Sequence, residues 1–269
     1  MKVVAIGGGH GLAVTLRAAS TYAESLTAVV TVADDGGSSG RLRDVTGLPA
    51  MGDIRRCLSA LADPPVLGQM FEHRFTDELN GHALGNLVIV ALAQRLGFRA
   101  AIDELCRLLA VSARVLPTTE ELVTLVAVTG DGIVQGQVAV QHSTGIKRVS
   151  LDPPDPKPDE DAVAAIGAAD QIILGPGSLY TSVLAALAVP GIRDAVSRST
   201  APVVYVCNLR PQVPETDGFA PSAHVDALHD HGVEPDVVIA DAGLARPDGR
   251  AHDPALLARA LLGSRSWPG

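Results

Sequence analysis

The sequence predicts an α/β fold with a mainly parallel sheet and a small antiparallel hairpin insertion. Three observations lead there. Short, continuous apolar runs alternate with stretches of helical periodicity, and continuous runs mark strands covered on both faces. Two of these runs, Lys2–Ile6 and Gln171–Leu174, feed directly into glycine turns that open helices. One pair of segments, 122–128 and 133–140, alternates apolar and polar residues instead, around Gly130-Asp131-Gly132.

The elements follow in order. Lys2–Ile6 reads as a buried strand ending in Gly7-Gly8-Gly9, and Leu12–Tyr22 has helical spacing. Ala28–Ala33 is a second strand, so the chain opens with a βαβ unit. It stops at the polar run Asp34–Gly40, read as a loop. Helices are expected over 54–61, 82–96 and 102–109. The hairpin follows, with 147–151 as a possible third strand. The proline-dense stretch Asp152–Pro158 reads as an extended crossing within one domain. Beyond it come a helix over 161–169, a strand over 171–174, and a helix over 179–188 broken at Pro190-Gly191. The strands 203–207 and 237–240 alternate with helices over 220–229 and 254–262.

Composition sets limits. The chain has 269 residues, 47% hydrophobic and 19% charged, which suits a folded domain rather than a disordered polymer. Its net charge of −9 gives no support for nucleic-acid binding. Three widely spaced cysteines argue against a disulfide framework or zinc ribbon, and a cytoplasmic location is expected. No apolar run is long enough for a membrane span, and the first residues are too short an apolar stretch for a signal peptide. Aromatics are 3%, so base stacking is not expected to dominate affinity, whereas 27 glycines suggest backbone amides around an anion. An anion site made from main chain rather than from Lys and Arg is the expectation.

Six segments can carry chemistry. Gly8, Gly9, His10 and Gly11 lie between the first strand and helix, where amides and a helix N-terminus favour phosphate. The strict GxGxxG spacing is absent, and a plain tight turn is the alternative. Asp34, Asp35, Gly37, Ser38, Ser39 and Arg41 follow the second strand, where a carboxylate accepts ribose hydroxyls or holds Mg²⁺ through water. A polar surface loop is the alternative there. Asp53 reads equally as a helix N-cap or a ligand group, Arg55 can reach a phosphate, and Arg56 is expected to face solvent. Asn86, in an apolar helix, either ties the structure together or reads a base or sugar. Gly175, Gly177 and Ser178 form a second glycine turn, with Ser178 as cradle or simple N-cap. Asn208 and Thr216 belong to a polar loop after another strand, which either completes a crevice or merely crosses over. No HExxH or GxSxG pattern supports a zinc or serine hydrolase.

Taken together, Gly7–Leu12, Val32–Arg43, Gly52–Arg55, Gly81–Leu87, Gly175–Ser182 and Glu215–Phe219 resemble the YvcK-type gluconeogenesis factors. These are relatives of the 2-phospho-lactate transferase CofD, and the likeness runs from residue 2 to about residue 262. It implies a Rossmann-like, three-layer α/β/α fold and a single CofD-like nucleotide-binding domain over 1–269. It implies a UDP-sugar ligand such as UDP-N-acetylglucosamine, and a regulatory role in cell shape, wall synthesis and growth on gluconeogenic carbon sources. A homodimer and cell-wall regulatory partners are compatible with it, and so is NAD as a bound ligand. The CofD branch instead implies phospholactyl transfer to a deazaflavin with Mg²⁺, held here by Asp34 and Asp35, and release of GMP. Leu48–Met51, Arg56 and Arg210-Pro211 depart from the family's usual residues.

Overall fold

The computed structural model describes residues 1–76 and 80–264. The first apolar run is strand β1 (Lys2–Gly7), buried along all but its first residue, and it passes into α1 (Gly9–Ala19). Next, β2 (Ser25–Val30) pairs parallel to β1 with Lys2 opposite Ser25. This strand starts and ends three residues earlier than expected, and residues 31–33 continue as buried coil.

The polar run read as a loop contains a helix, α2 (Gly37–Thr46), closed by Gly47 in the left-handed region at φ 67°. Its Gly and Ser residues have weak helix propensity, but Ser38, Ser39 and Gly40 are buried, and packing overrides propensity. The helices α3 (Gly52–Leu61), α4 (Pro65–Glu72), α5 (Leu84–Leu96) and α6 (Phe98–Leu108) lead to β3 (Arg114–Pro117). The sequence reading omits α4 and β3. A four-residue strand that begins in Arg and ends in Pro carries almost no alternation to detect.

The insertion contains β4 (Thr124–Thr129), β5 (Gly132–Gln135), the short α7 (Gln137–Gln141) and β6 (Arg148–Asp152). Its three strands form an antiparallel sheet in the order β5-β4-β6, so 147–151 does supply the third strand. The second hairpin strand is shorter than expected because Gly136, at φ 95°, turns the chain into α7. Then follow α8 (Glu160–Gly167), β7 (Gln171–Leu174), a π-helical turn over Leu179–Val183 that runs into α9 (Leu184–Leu187), and α10 (Pro190–Arg198). Pro190 therefore opens a helix, a position that does not need its missing N–H. The chain continues through β8 (Val203–Val206), α11 (Pro221–Asp230), β9 (Val237–Ile239) and α12 (Pro254–Gly263).

The main sheet has six parallel strands in the order β3-β2-β1-β7-β8-β9. This is the doubly wound arrangement, whose order reverses between β1 and β7. Helices flank it, with α1 packed on α3 and α12, and α8 on α10. Aliphatic residues dominate a buried cluster that runs from Val3 to Leu261. Among the described residues, no single helix is long and apolar enough to cross a membrane.

At the reversal, α1 and the turn after β7 meet backbone to backbone. A Cβ on Gly11 would stand 1.8 Å from the Pro176 carbonyl oxygen. Gly11→Ala is therefore expected to destabilise the protein by about 1–3 kcal/mol, as overpacking against rigid atoms does. Gly130→Ala, where a Cβ meets nothing within 4 Å, should stay within about 0.5 kcal/mol of the parent. Urea midpoints of the two variants check this contrast.

Candidate functional site

Ligands of doubly wound sheets bind outside the carboxyl ends of the strands at the reversal. Here that place is a cleft of about 620 Å³. Its walls come from the turns after β1, β2, β7 and β8, from the start of α3, from α7, and from residues 250–252.

The first turn is constrained on two sides. A Cβ on Gly8 would lie 2.3 Å from Asp53 Oδ2, so a larger residue would have to displace the Asp53 carboxylate that pairs with Arg56. Gly9 has φ 67°, a left-handed conformation that glycine adopts without strain. The amides of Gly9, His10 and Gly11 open α1 and have no intrahelical partners by position, which suits them to an anion.

Side chains hold the second turn in place. Thr15 Oγ1 donates to Gly175 O at 2.8 Å, and Asn208 Nδ2 donates to Gly177 O at 2.7 Å. Ser178 caps the following helical turn by accepting from Thr181 N at 3.1 Å. Its hydroxyl donates to the buried carboxylate of Glu215, which also accepts from Tyr180 N at 2.8 Å. Burial raises the Glu215 pKa, while the hydrogen bonds from Ser178, Tyr180 and Thr181 pull it back down.

A charged cluster occupies the β2 side. Asp34 Oδ1 accepts from Gly36 N at 2.9 Å, and Asp53 is ion-paired with Arg56. Burial, followed by the Asp53 charge, raises the Asp34 pKa above its ordinary value of 3.8. Burial opposes the charge on Arg56, but Asp53 and Asp34 beside it outweigh that and make it more basic. Desolvation, then Arg56, lowers the pKa of His10. Behind the cluster, Asn86 Nδ2 donates to Ser38 Oγ at 2.9 Å, and its carbonyl oxygen accepts from Arg55 Nη1 at 3.4 Å. Ser38 also contacts His82 Nδ1 at 3.0 Å, and Arg55 pairs with Glu72 at 3.1 Å.

Of the residues singled out in the sequence, Gly8, Gly9, His10, Gly11, Asp34, Gly37, Ser38, Ser39, Asp53, Arg55, Gly177, Ser178 and Asn208 line the cleft. Five others stand elsewhere. Asp35 turns toward α7 and accepts from Val138 N at 2.9 Å. Arg41 donates to Asn80 O. Asn86 is a fully buried tie, Gly175 presents its carbonyl to Thr15, and buried Thr216 accepts from Gln212 N at 2.9 Å.

Asp34 and Asp35 therefore do not converge on one cation. Asp34 does share the cleft with Asp53, but Arg56 already neutralises that carboxylate. Among the described residues, no group of three or more His, Cys, Asp or Glu side chains could hold a metal ion. The donor set does not fit a Mg²⁺ site made by the protein.

Two expectations change. Arg56 faces the cleft rather than open solvent, because its pairing with Asp53 draws it inward. Nor is the anion site main chain alone, since Arg56, Arg74, Arg210 and Arg250 all line the cleft. Glu215, too, had no role in the sequence reading. It lies in the segment Glu215–Phe219, 37 positions from Ser178, and only the fold brings the two together.

The fold and the two facing glycine turns define a Rossmann-like α/β protein with a cleft at the sheet reversal. The family model described as 2-phospho-L-lactate transferase CofD matches residues 3–255. A "Gluconeogenesis factor" of Halalkalibacterium halodurans is 46% identical over 247 residues, covering 88% of this chain and 77% of that protein. Another protein of that name, from Bacillus subtilis, is 43% identical over 236 residues, covering 86% and 74%. A crystal structure of a UPF0052 family member from Bacillus halodurans superposes with a TM-score of 0.90 at 39% identity, covering 97% of this chain and 98% of that one. The chain belongs to the CofD family, among the gluconeogenesis factors (UPF0052).

The raised Asp34 pKa has a testable sign. Between 3.8 and its folded value, the native state binds more protons than the unfolded chain, so stability falls as pH rises through that window. Asp34→Asn keeps the acceptor for Gly36 N and removes this loss. The variant is expected to be more stable than the parent at pH 7, with the difference shrinking as pH falls toward 3.8. Urea denaturation across this range reads it directly.

Proposed function

We propose that the protein binds a nucleotide sugar of the UDP-N-acetylglucosamine type and acts as a regulator rather than through turnover. In this reading it works in the cytoplasm, supporting growth on gluconeogenic carbon sources, wall synthesis and cell shape. The observation that carries the proposal is the interlocked pair of glycine turns, 7–11 and 175–178, on one cleft. Amides of the first turn would meet the diphosphate, and Asp34 would accept ribose hydroxyls on the β2 side. Ser178 and Asn208 would hold the second turn in register. Among the described residues, no Trp, Tyr or Phe lines the cleft, so affinity would come from the phosphates and polar edges rather than base stacking. The gluconeogenesis-factor name of the relatives supports the growth role.

A thermal-shift panel of UDP-N-acetylglucosamine, NAD and GDP tests the ligand class. A ligand at about 100 times its Kd stabilises by about 2.7 kcal/mol. Valine at position 9 or 177 would project toward the space between the turns, where the nearest atoms to a Cβ lie 3.5–3.9 Å away. Gly177→Val is expected to weaken UDP-sugar binding about 100-fold, or about 2.7 kcal/mol, by calorimetry, and Gly9→Val, which also strains the left-handed φ of 67°, at least as much in a variant that circular dichroism shows to be folded. Retained tight binding in both variants would sink the shared-cleft reading. Phospholactyl transfer is the second reading, favoured by the family-model match over residues 3–255. GMP released from lactyl-diphosphoguanosine with a deazaflavin acceptor and Mg²⁺ would establish it in place of the first.

A further inference from the structure

The cleft crosses four neighbouring strand ends in the order β2-β1-β7-β8. At about 4.8 Å per strand it is about 15 Å long, with the two glycine turns in its middle. Asp34 marks the β2 end, the side on which this topology takes ribose hydroxyls. A diphosphate at the glycine turns then places whatever lies beyond it over the β8 end.

Two arginines dominate that end. Arg210 comes from the loop after β8, and Arg250 from a turn closed by the bridge between Ala245 and His252. The Arg210 guanidinium lies against this turn, for a Cβ on Gly249 would sit 3.0 Å from its Nη2. Among the described residues, neither arginine has an ion-pair partner, whereas Arg55 and Arg56 pair with Glu72 and Asp53. The carboxylate of this turn, Asp248, turns back to accept from the Arg250 backbone N–H at 3.0 Å and, among the described residues, pairs with neither guanidinium. The nearby amide of Asn208 is already committed to Gly177 O and Gln212.

A neutral sugar does not call for this arrangement. Its hydroxyls both donate and accept, and arginine only donates. A carboxylate only accepts, and its two oxygens match the guanidinium fork. Building on the nucleotide-sugar reading above, we infer that Arg210 and Arg250 form a carboxylate subsite, and that the ligand is a nucleotide sugar whose glycosyl end carries an acid group.

Two probe pairs isolate that group. UDP-glucuronate and UDP-glucose differ only at C6, and UDP-N-acetylmuramate and UDP-N-acetylglucosamine differ only by a lactyl ether. Calorimetry on the full chain is expected to show the acid member of at least one pair binding about tenfold tighter or more. That ratio should fall toward one in the Arg210→Gln/Arg250→Gln variant, and with rising salt, because both side chains are exposed. Circular dichroism confirms that the variant is folded. If neither pair shows the preference, or the variant keeps it, the subsite is wrong. If the arginines serve the diphosphate instead, the variant weakens UDP and every UDP-sugar alike with the ratio unchanged, which also overturns the inference. UDP binding without acid preference rejects the subsite and leaves the nucleotide reading standing. Failure of UDP and of all four UDP-sugars to bind rejects both.

Discussion

The close approach of α1 to the turn after β7 is the constraint on which the rest of the site depends. Gly11 admits no Cβ because the Pro176 carbonyl is already there. Thr15, one turn further along α1, reaches back to Gly175 O. A contact between two backbones has little freedom to relax, so it fixes the separation of β1 from β7 at their carboxyl ends. That separation is where the sheet order reverses, and so it sets the floor of the cleft. Asn208 then ties the end of β8 to the same turn through Gly177 O. Three neighbouring strand ends are held together by hydrogen bonds to carbonyls, which leaves amides available to face a ligand.

The charged side of the cleft rests on a second scaffold, built from buried polar groups. Asn86 joins Ser38 of α2 to Arg55 of α3, and Glu72 of α4 completes the chain. Each of these groups would be costly to bury alone. Satisfied as a network, they hold the N-termini of α2 and α3 beside Asp34. Gly52, at the start of α3, comes so near that a Cβ there would stand 2.9 Å from Asp34 Oδ2. The same crowding raises the Asp34 pKa, because burial and Asp53 both disfavour its charge. Electrostatic tuning at this end is thus a consequence of how tightly the helices pack.

Much of this was legible in the sequence, and what escaped has physical reasons. The buried strands and both glycine turns announce themselves locally, because continuous β-branched runs and glycine clusters are short-range signals. The insertion was readable as strands from its alternation. By contrast, α2 was hidden, since its Gly and Ser residues are helical only when packed against the cleft. The strand β3 is too short to show a pattern. Direction was harder still. Asp34 and Asp35 look equivalent in sequence, yet one faces the cleft and the other faces α7. Asn86 reads equally as a tie or a ligand group and is a buried tie, Arg55 lines the cleft while also pairing with Glu72, and Glu215 reaches Ser178 across 37 positions. The arginines at 74, 210 and 250 belong to separate loops, and only the fold brings them to one place.

Those arginines reconcile an acidic protein with the proposed anion-binding cleft. The net charge of −9 is a sum over the whole surface, while a ligand responds mainly to charges within about 8–10 Å. Several acidic residues outside the cleft are taken up by local pairs such as Glu104 with Arg107 and Asp161 with Arg114. Inside it, Arg56 neutralises Asp53, and burial works against charge on Asp34. The positive ends of the α1 amides, with Arg210 and Arg250, which have no ion-pair partner among the described residues, then share the cleft with the carboxylates of Asp34 and Asp53. A concave wall concentrates such a field, which supports the proposed anion site within an acidic surface. Because the amides are fixed in backbone and the arginines lie on loops, the two contributions differ in kind. In the proposed reading, the amides would supply a site of constant geometry for phosphate, and the arginines an adjustable one for whatever the phosphate carries.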